Sequence, residues 1–338
     1  MKRSATITQV AEHAGVSLGT VSNYINETKT IAPATAERIE RAIAELNFVP
    51  NRAVRTLRGN RSSVIGFVVP DGANPFFTEL ARHVEEAARD RGCVVVFCDT
   101  AGDEEREREY LRSLAEMRVS GVILTSVNAQ TRNLGDLHAV DAPIVLLGDD
   151  KPGLDAASIT VDHHRGGYLG MSHLLSIGRR RILYAGGPAG GAVLDSRVEG
   201  AEQAIRDLGL GAETRLRRVD ALGRSIAERA ALVDAVLDPS DPADAVLCGN
   251  DMIAFSILNA LIRRGVRVPE DVAIVGHDDI ELAAQMVVPL TTVRQPIADL
   301  GRLAAELLFH QTSTEGSPQQ HLIFTPELVI RESTVPAR

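Results

Sequence analysis

The chain has 338 residues, of which 44% are hydrophobic and 24% are charged, and its formal net charge is −9. This length allows two or three domains with substantial cores, and the composition is that of a soluble globular protein. No run approaches the roughly 20 apolar residues of a membrane span, and the N-terminus lacks the apolar stretch of a signal peptide, so a cytoplasmic protein without a membrane partner is expected. The three cysteines lie inside apolar runs without CxxC spacing, which argues against disulfides or a metal site and favours buried, inert thiols.

Charge is distributed unevenly along the chain. Residues 1–61 hold nine lysines and arginines against five glutamates, which is a net charge of +4. Because the whole chain has a net charge of −9, residues 62–338 have a net charge of −13. An acidic body would repel DNA unless a separate basic module stood in front of it. The split therefore predicts a nucleic-acid-binding module at the N-terminus.

The basic module shows the pattern of three short helices. Thr6 and Gln9 form a capping box for a first helix that Gly15 ends. Ser17 fits the N-cap of a second helix over 18–25, and Pro33 suits the first turn of a third. Two helices joined by a tight turn and braced by a third predict a helix-turn-helix.

In a helix-turn-helix the second helix enters the major groove, and its N-terminal residues contact base edges. The small residues here allow close approach to phosphate and base, and Asn23 can pair with adenine. The candidate contacts from this argument are Ser17, Gly19, Thr20, Ser22 and Asn23. A helical packing module without DNA is the alternative.

The following segment, VPNRAVRTLRGNR, has a short stretch that could form a helix over 51–58. Eight residues are too few for a stable helix in water, so we expect this segment to become ordered only on binding a partner. Leu57 lies between Arg55 and Arg58, as in proteins that insert a leucine into the minor groove beside phosphate-binding arginines. A flexible arginine-rich linker is the alternative.

The rest of the chain alternates apolar runs with helical patterns. The first runs are 64–69, 94–98, 121–125 and 143–147, with helices predicted near 76–91 and 104–117. The second runs are 158–161, 181–185, 244–248 and 272–276, with helices near 163–176, 197–208, 224–237 and 250–263. This alternation predicts an α/β body of two lobes, each a doubly wound parallel sheet covered on both faces.

Ligands of such folds bind at the carboxyl ends of the strands, and several polar residues follow predicted strands. Phe76 and Phe77 offer flat faces to a sugar ring, while Arg197, predicted to open a helix, and the carboxylates can form bidentate bonds to hydroxyls. The candidates are Asn74, Phe76, Phe77, Arg197, Asn250, Asp278 and Gln295. Each alone could instead be a helix cap or a surface group. His163, His164 and His277 could sense pH or touch the ligand, or have ordinary structural roles.

The segments TITQVAEHAGVSLGTVSNYINE and FVPNRAVRTL resemble the DNA-binding head and hinge of the lactose-repressor (LacI/GalR) family, and the similarity continues through most of the chain. The resemblance implies a homodimer that binds double-stranded, pseudo-palindromic operator DNA and senses a small-molecule effector. It implies a head at 1–50, a hinge at 51–61 and a periplasmic-binding-protein-like body at 62–338. The N-lobe would consist of residues from about 62 to 161 and from 294 to 322. The C-lobe would consist of residues from about 162 to 293 and from 323 to 332. Arg55 and Leu57 of the hinge segment belong to the DNA-contact set, and the resemblance adds Thr6, Leu18, Asn26 and Asn51 to it.

Within that family the ligand motifs resemble the ribose repressor subgroup and ribose-binding proteins most. Five motifs of this chain stand where that group has ligand contacts: NPFF, the Arg-x-x-Gly at 197–200, GND, the aspartate of VGHDDIELA and the glutamine of TTVRQP. Two positions depart from it: Gly148-Asp149 replaces an Asp-Arg pair, and Ala221-Leu222 replaces an aromatic. Asp149 joins the predicted effector set, and ribose or a related aldopentose is the expected effector.

No catalytic constellation is recognisable, so neither an enzyme nor a cofactor is predicted. The loop AGGPAGG lacks the Lys-Ser/Thr of a phosphate loop. The alternatives are a regulator that responds to a purine or a sugar phosphate, and an intracellular sugar-binding protein. An enzyme on the same fold would need a catalytic group in the cleft.

Overall fold

The computed structural model describes residues 5–25, 29–48, 62–125, 135–148, 156–187, 191–220, 226–313 and 320–335. The chain divides into two compact units, a head of residues 1–62 and a body of residues 63–338. No helix within these described ranges is long and apolar enough to cross a membrane.

The head contains the three predicted helices, which are α1 (Ile7–Ala14), α2 (Leu18–Ile25) and α3 (Pro33–Glu45). Thr6 forms the expected capping box with Gln9, and Gly15 ends α1 in the left-handed conformation with φ of 63°. Proline opens α3, where its missing N–H costs no helical hydrogen bond. The head core is formed by Val10, Ala11, Ala14, Val21, Ile39 and Ala42.

Arg38 ties the third helix to the end of the first. Its guanidinium donates to the Ala14 carbonyl through Nε at 3.0 Å and to the Gly15 carbonyl through Nη2 at 2.7 Å. These carbonyls have no partner within α1, because the last turn of a helix leaves its acceptors unsatisfied. A side chain of α3 therefore fixes the turn that leads into α2.

The body contains twelve strands and eight α-helices in its described ranges. The strands are β1 (Val64–Val69), β2 (Val94–Asp99), β3 (Gly121–Leu124), β4 (Ile144–Leu147), β5 (Ala157–Val161), β6 (Arg181–Gly186), β7 (Arg215–Asp220), β8 (Ala245–Cys248), β9 (Ala273–Asp278), β10 (Thr291–Arg294), β11 (His321–Phe324) and β12 (Glu327–Val329). The helices are α4 (Pro75–Arg89), α5 (Glu104–Glu116), α6 (Gly135–His138), α7 (His163–Ser176), α8 (Ala192–Asp207), α9 (Ile226–Val236), α10 (Asp251–Arg263) and α11 (Ile297–Ser313).

The strands form two six-stranded sheets, which confirms the predicted fold class. The order is β11-β5-β4-β3-β1-β2 in the first sheet and β12-β10-β9-β8-β6-β7 in the second. Strand pairs in both sheets are parallel, except that β12 runs antiparallel to β10. We call the part built on the first sheet the N-lobe and the part built on the second the C-lobe.

Each sheet is buried on both faces, which explains why the central strands read as continuous apolar runs. In β1, Phe67 packs into one cluster and the adjacent Val68 into the cluster on the opposite face. In β6, Leu183 and Tyr184 divide in the same way. Successive side chains of a strand point to opposite faces, so every position of such a strand must be apolar.

The structure also contains elements that the sequence patterns did not indicate. Strand β7 (RLRRVD) is an edge strand that pairs with β6, so its exposed edge tolerates arginines and its apolar pattern is weak. Helix α11 and strands β11 and β12 were likewise not predicted. The prediction that Arg197 opens a helix was wrong, because α8 begins five residues earlier at Ala192 and places Arg197 in its second turn.

The chain crosses between the lobes three times. The crossings lie between β5 and α7, between β10 and α11, and between β11 and β12. The Asp162 amide donates to the Phe324 carbonyl at 2.8 Å, which joins the first crossing to the third. Residues 162–163 and 295–296 therefore lie where the two lobes meet.

Candidate functional site

Four of the predicted effector residues lie at the carboxyl ends of strands, where the two lobes face each other, whereas Phe76 and Phe77 lie in α4 and Arg197 lies in α8. Asn74 follows β1, Asn250 follows β8, Asp278 ends β9 and Gln295 follows β10. Asp149 lies outside the described residues, as do Ala221 and Leu222.

Asp278 joins residues from both lobes and from a crossing. Its side chain is buried, and its Oδ1 accepts a hydrogen bond from Gln295 Nε2 at 2.7 Å. The side chain of Asn74 in the N-lobe also bonds to this carboxyl. Burial raises the pKa of Asp278 to about 7, although the nearby Arg197 cation and these two amides lower it. The carboxyl thus titrates near neutral pH in a place where it can bind a hydroxyl group.

Arg197 is the buried cation of the site. Its Nη1 donates to the Gly249 carbonyl, and its Nη2 lies 3.2 Å from His163 Nδ1. Nε has no hydrogen-bond partner among the described residues. Burial lowers the pKa of Arg197, and the carboxylate of Asp278 opposes that shift. A buried N–H without a partner is a candidate donor to a ligand.

His163, at the first crossing, was not placed in the predicted ligand set. Its Nε2 lies 3.1 Å from the Gly148 carbonyl, which can only accept, so Nε2 carries the proton and Nδ1 accepts from Arg197. Burial, followed by the charge of Arg197, lowers the pKa of His163 to about 3. The neutral ring therefore connects the C-lobe arginine to the end of β4 in the N-lobe.

Helices α7 and α8 approach each other through glycines. A Cβ on Gly200 would lie 1.8 Å from the His164 carbonyl oxygen, and a Cβ on Gly167 would lie 1.8 Å from the Arg197 carbonyl oxygen. Any side chain at either position would push the helices apart. The glycine of the Arg-x-x-Gly motif is thus a packing residue that brings Arg197 within reach of His163.

Two predicted ligand residues also cap helices, the role that the alternative interpretation gave them. Asn74 Oδ1 accepts from the Phe76 amide at 3.0 Å, and Asn250 Oδ1 accepts from the Ile253 amide at 2.9 Å. The neighbouring Asp251 is fully buried, accepts from Thr292 Oγ1 at 2.6 Å and from the Ile280 amide at 3.0 Å, and braces the C-lobe. Capping fixes the two asparagine side chains at the strand ends.

The two phenylalanines form an apolar wall. Phe76 and Phe77 meet edge to face, with ring centroids 5.1 Å apart and an interplanar angle of 81°. Both are partly buried, and Phe76 packs against the apolar clusters of both lobes while Phe77 packs against that of the N-lobe. Such a wall suits the C–H face of a sugar ring.

The described residues contain no group of three or more His, Cys, Asp or Glu placed to hold a metal ion. The thiols of Cys98 and Cys248 are buried, and that of Cys93 is half-buried. Burial raises the pKa of all three thiols, as is typical of unreactive cysteines.

In the head, most of the predicted DNA contacts that the structure describes lie on α2 or at its N-cap. Val21 is buried, whereas Leu18 is 48% exposed and Gly19 is exposed beside it. Ser17 Oγ accepts from the Thr20 amide at 3.1 Å, as expected of an N-cap. Thr6 is exposed, and Ser22 and Asn23 are partly exposed. Asn26, Asn51, Arg55 and Leu57 lie outside the described residues.

Two family models match the chain. The model of bacterial regulatory proteins of the lacI family matches residues 6–51, and the model of a periplasmic binding protein-like domain matches residues 171–334. Similar proteins include "HTH-type transcriptional repressor PurR" of Vibrio atlanticus, 33% identical over 97% of this chain and 98% of that protein. They also include "Ribose operon repressor" of Escherichia coli, 34% identical over 97% of this chain and 99% of that protein. These relatives are transcriptional regulators and not enzymes.

Solved structures show the same architecture. The lac repressor dimer bound to operator and the anti-inducer ONPF has a TM-score of 0.82 and 26% identity, over 98% of this chain and 99% of that one. A LacI family transcriptional regulator from Enterococcus faecium with bound ribose has a TM-score of 0.74 and 28% identity, over 81% of this chain and 100% of that one.

Proposed function

Because this chain belongs to the LacI family of bacterial regulatory proteins and is a DNA-binding transcriptional repressor, we propose that it controls carbohydrate-uptake or catabolic genes in response to a monosaccharide. The proposed effector is an aldopentose such as ribose, bound between the lobes. The proposed active form is a homodimer on a pseudo-palindromic operator, as the lac repressor dimer is on its operator.

The observation that carries the effector proposal is the pair of opposite charges buried at the cleft. Asp278, with Gln295 and Asn74, offers acceptors and amides, and Arg197 offers an N–H without a partner among the described residues. A polyol needs both donors and acceptors around an apolar wall, which Phe76 and Phe77 supply. The relatives whose names or bound ligands include ribose agree with this chemistry.

The charge balance favours a neutral sugar over a sugar phosphate. The strongest charges acting on Asp278 are the cation of Arg197 and the anion of Glu79. Burial raises the pKa of Asp251, a second carboxyl close to Arg197, well above its ordinary value, and His163 and His277 are neutral because burial lowers their pKa values. A phosphate with nearly two negative charges would be attracted by one arginine and repelled by Glu79 and by the ionised form of Asp278.

Calorimetry with D-ribose, other pentoses, hexoses, sugar phosphates and purines tests the effector class. We expect a free pentose to bind the wild type, and Arg197→Ala and Asp278→Asn to lose this binding while the unliganded proteins still bind operator. Arg206→Ala is the matched control, because Arg206 lies on the same helix in an exposed ion pair with Glu202. Tight binding of a purine or sugar phosphate without response to any free sugar would support the alternative regulator.

The DNA part has its own test. Deletion of residues 1–60 should abolish operator binding and leave effector binding intact. Leu57→Ala should lose affinity and the operator kink together, because the inserted side chain drives the unstacking. Operator that is bent normally by the Leu57→Ala protein would contradict the leucine wedge.

A further inference from the structure

The backbone that carries Asp278 has an unusual conformation. Asp278 has φ of 120° and Asp279 has φ of 57°, two successive positive values at residues other than glycine. The first lies well outside the left-handed helical region near +50° to +70°. Such conformations persist only where surrounding contacts enforce them, and they concentrate at functional sites.

Two arginines contact the carboxylate of Asp279. Arg294 Nε donates to Asp279 Oδ2 at 2.7 Å, and Arg331 Nη2 lies 2.7 Å from Asp279 Oδ1 in an ion pair without the angles of a hydrogen bond. The Asp279 side chain is 7% exposed and that of Arg331 is 17% exposed, whereas Arg294 is 49% exposed. Water screens the Arg331 pair less than the Arg294 pair, whereas Arg294 makes the hydrogen bond, so both arginines hold this carboxylate.

Arg331 is itself held in place. Its backbone amide donates to Thr291 Oγ1 at 2.8 Å, and its Nη1 donates to the Leu290 carbonyl at 2.8 Å. Two residues on, Ser333 Oγ donates to the Ile274 carbonyl at 2.6 Å and accepts from the Thr291 amide at 2.8 Å. Residues 331–334 thus form a strap fixed to β9 and β10, and the strap presents a rigid cation to Asp279.

We propose that Arg331 is a positioning residue of the effector site: with Arg294 it holds Asp279 and thereby turns the carboxyl of Asp278 toward Gln295 and Asn74. The role in effector binding depends on the proposed function, whereas the effect on the backbone does not. Without the Arg331 guanidinium, Asp279 would keep the half-exposed Arg294 as its charge partner, so its side chain would shift toward Arg294 and water, and its backbone would carry Asp278 with it.

Hydrogen exchange in the ligand-free protein tests the backbone effect. The Ile280 amide donates to Asp251 Oδ2 and is buried, so it reports on the 278–280 turn. We expect Arg331→Ala to accelerate exchange at residues 278–281 by about tenfold or more, while the core strand β8 stays protected. The control is Arg267→Ala, which removes an arginine from an exposed C-lobe ion pair with Asp271.

A second substitution separates positioning from general stability. The double variant Arg331→Ala with Asp279→Asn has no charge at position 279, and asparagine tolerates left-handed conformations, so exchange at 278–281 should return toward the wild-type rate. Calorimetry with D-ribose should follow the same order, with about tenfold weaker binding in Arg331→Ala and recovery in the double variant.

The outcomes distinguish the two proposals. Unchanged exchange at 278–281 in Arg331→Ala, or an equal acceleration throughout the C-lobe, would overturn the positioning role. Faster exchange confined to residues 278–281, with recovery in the double variant, supports the positioning role even if the wild type does not bind D-ribose. In that case only the choice of ribose as effector fails.

Discussion

Gly200 lies so close to the backbone at His164 that α7 and α8 can adopt their spacing only without a side chain there. The same contact holds Arg197 beside His163, one residue before His164. The position of the buried Arg197 cation therefore depends on the close packing of α7 against α8.

Gly200→Ala should destabilise the body by about 1–3 kcal/mol or more, because the methyl group would overlap a backbone carbonyl that cannot rotate away. It should also weaken effector binding, since α8 must shift and take Arg197 with it. Urea unfolding measures the first effect and calorimetry the second. Gly211→Ala is the control, because a Cβ there meets nothing within 4 Å; equal stability of the two variants would contradict the packing argument.

The pH dependence of stability should contain opposing contributions, among them those of His163 and Asp278. His163 has a pKa lowered from 6.5 to about 3, so the unfolded chain binds its proton first and the free energy of unfolding falls as pH drops from 6.5 toward 3. Asp278 has a pKa raised from 3.8 to about 7, so its contribution falls as pH rises from 3.8 to 7. Between pH 3.8 and 6.5 the two slopes oppose each other.

Asp278→Asn removes the second contribution. In this variant the free energy of unfolding should rise more steeply with pH than in the wild type between about pH 4 and 6.5, by up to about 1.4 kcal/mol per pH unit. Urea unfolding at several pH values in this window measures the slopes. Asp207→Asn, an exposed change at the end of α8, should leave the slope unchanged, and parallel curves for wild type and Asp278→Asn would refute the assignment.

Arg38→Ala should lower the thermal stability of the head and weaken operator binding uniformly across sequences. The substitution leaves the last carbonyls of α1 without their partner, and the turn into α2 loses its brace. Arg41→Ala removes the same charge from an exposed position of the same helix and serves as the control. A change in base preference in Arg38→Ala would instead indicate a direct base contact.

Asn23→Ala should relax the base preference at one position of each operator half-site, at a cost of about 1–3 kcal/mol, if Asn23 pairs with adenine. Competition binding with operators changed one base pair at a time measures this. Asn259→Ala, an exposed asparagine on α10 of the body, should bind every operator as the wild type does. Equal losses on all operators for Asn23→Ala would point to a phosphate contact instead.

The parts of this protein that sequence reasoning predicted are those where one local rule dominates. The capping box at Thr6 and the apolar runs of β1, β6, β8 and β9 each obey such a rule. Strand β7 was not predicted, because an edge strand can form without a continuous apolar run. Arg197 was predicted as a site residue, but the predicted start of its helix was wrong, because neither Gly191 nor Ala192 is a strong signal for a helix start.

The sequence did not indicate the roles of His163 and Asp279, because these roles depend on contacts with residues far away in the chain. His163 meets Gly148 and Arg197, and Asp279 meets Arg331, 52 positions later. Nothing in the local sequence of either residue predicts such partners. The doubled aspartate Asp278-Asp279 after a buried strand indicated both residues as candidates at a strand end, but it did not indicate Arg331 as the partner of Asp279.

The three crossings between lobes have a consequence for the order in which the protein can be made. During synthesis the N-lobe sheet lacks its edge strand β11 until residue 324 has left the ribosome, and the C-lobe lacks the strap until residue 334 has done so. The head, by contrast, is complete within its first 48 residues. A nascent or prematurely ended chain therefore carries a completed three-helix head on a body whose two sheets still lack their last strands.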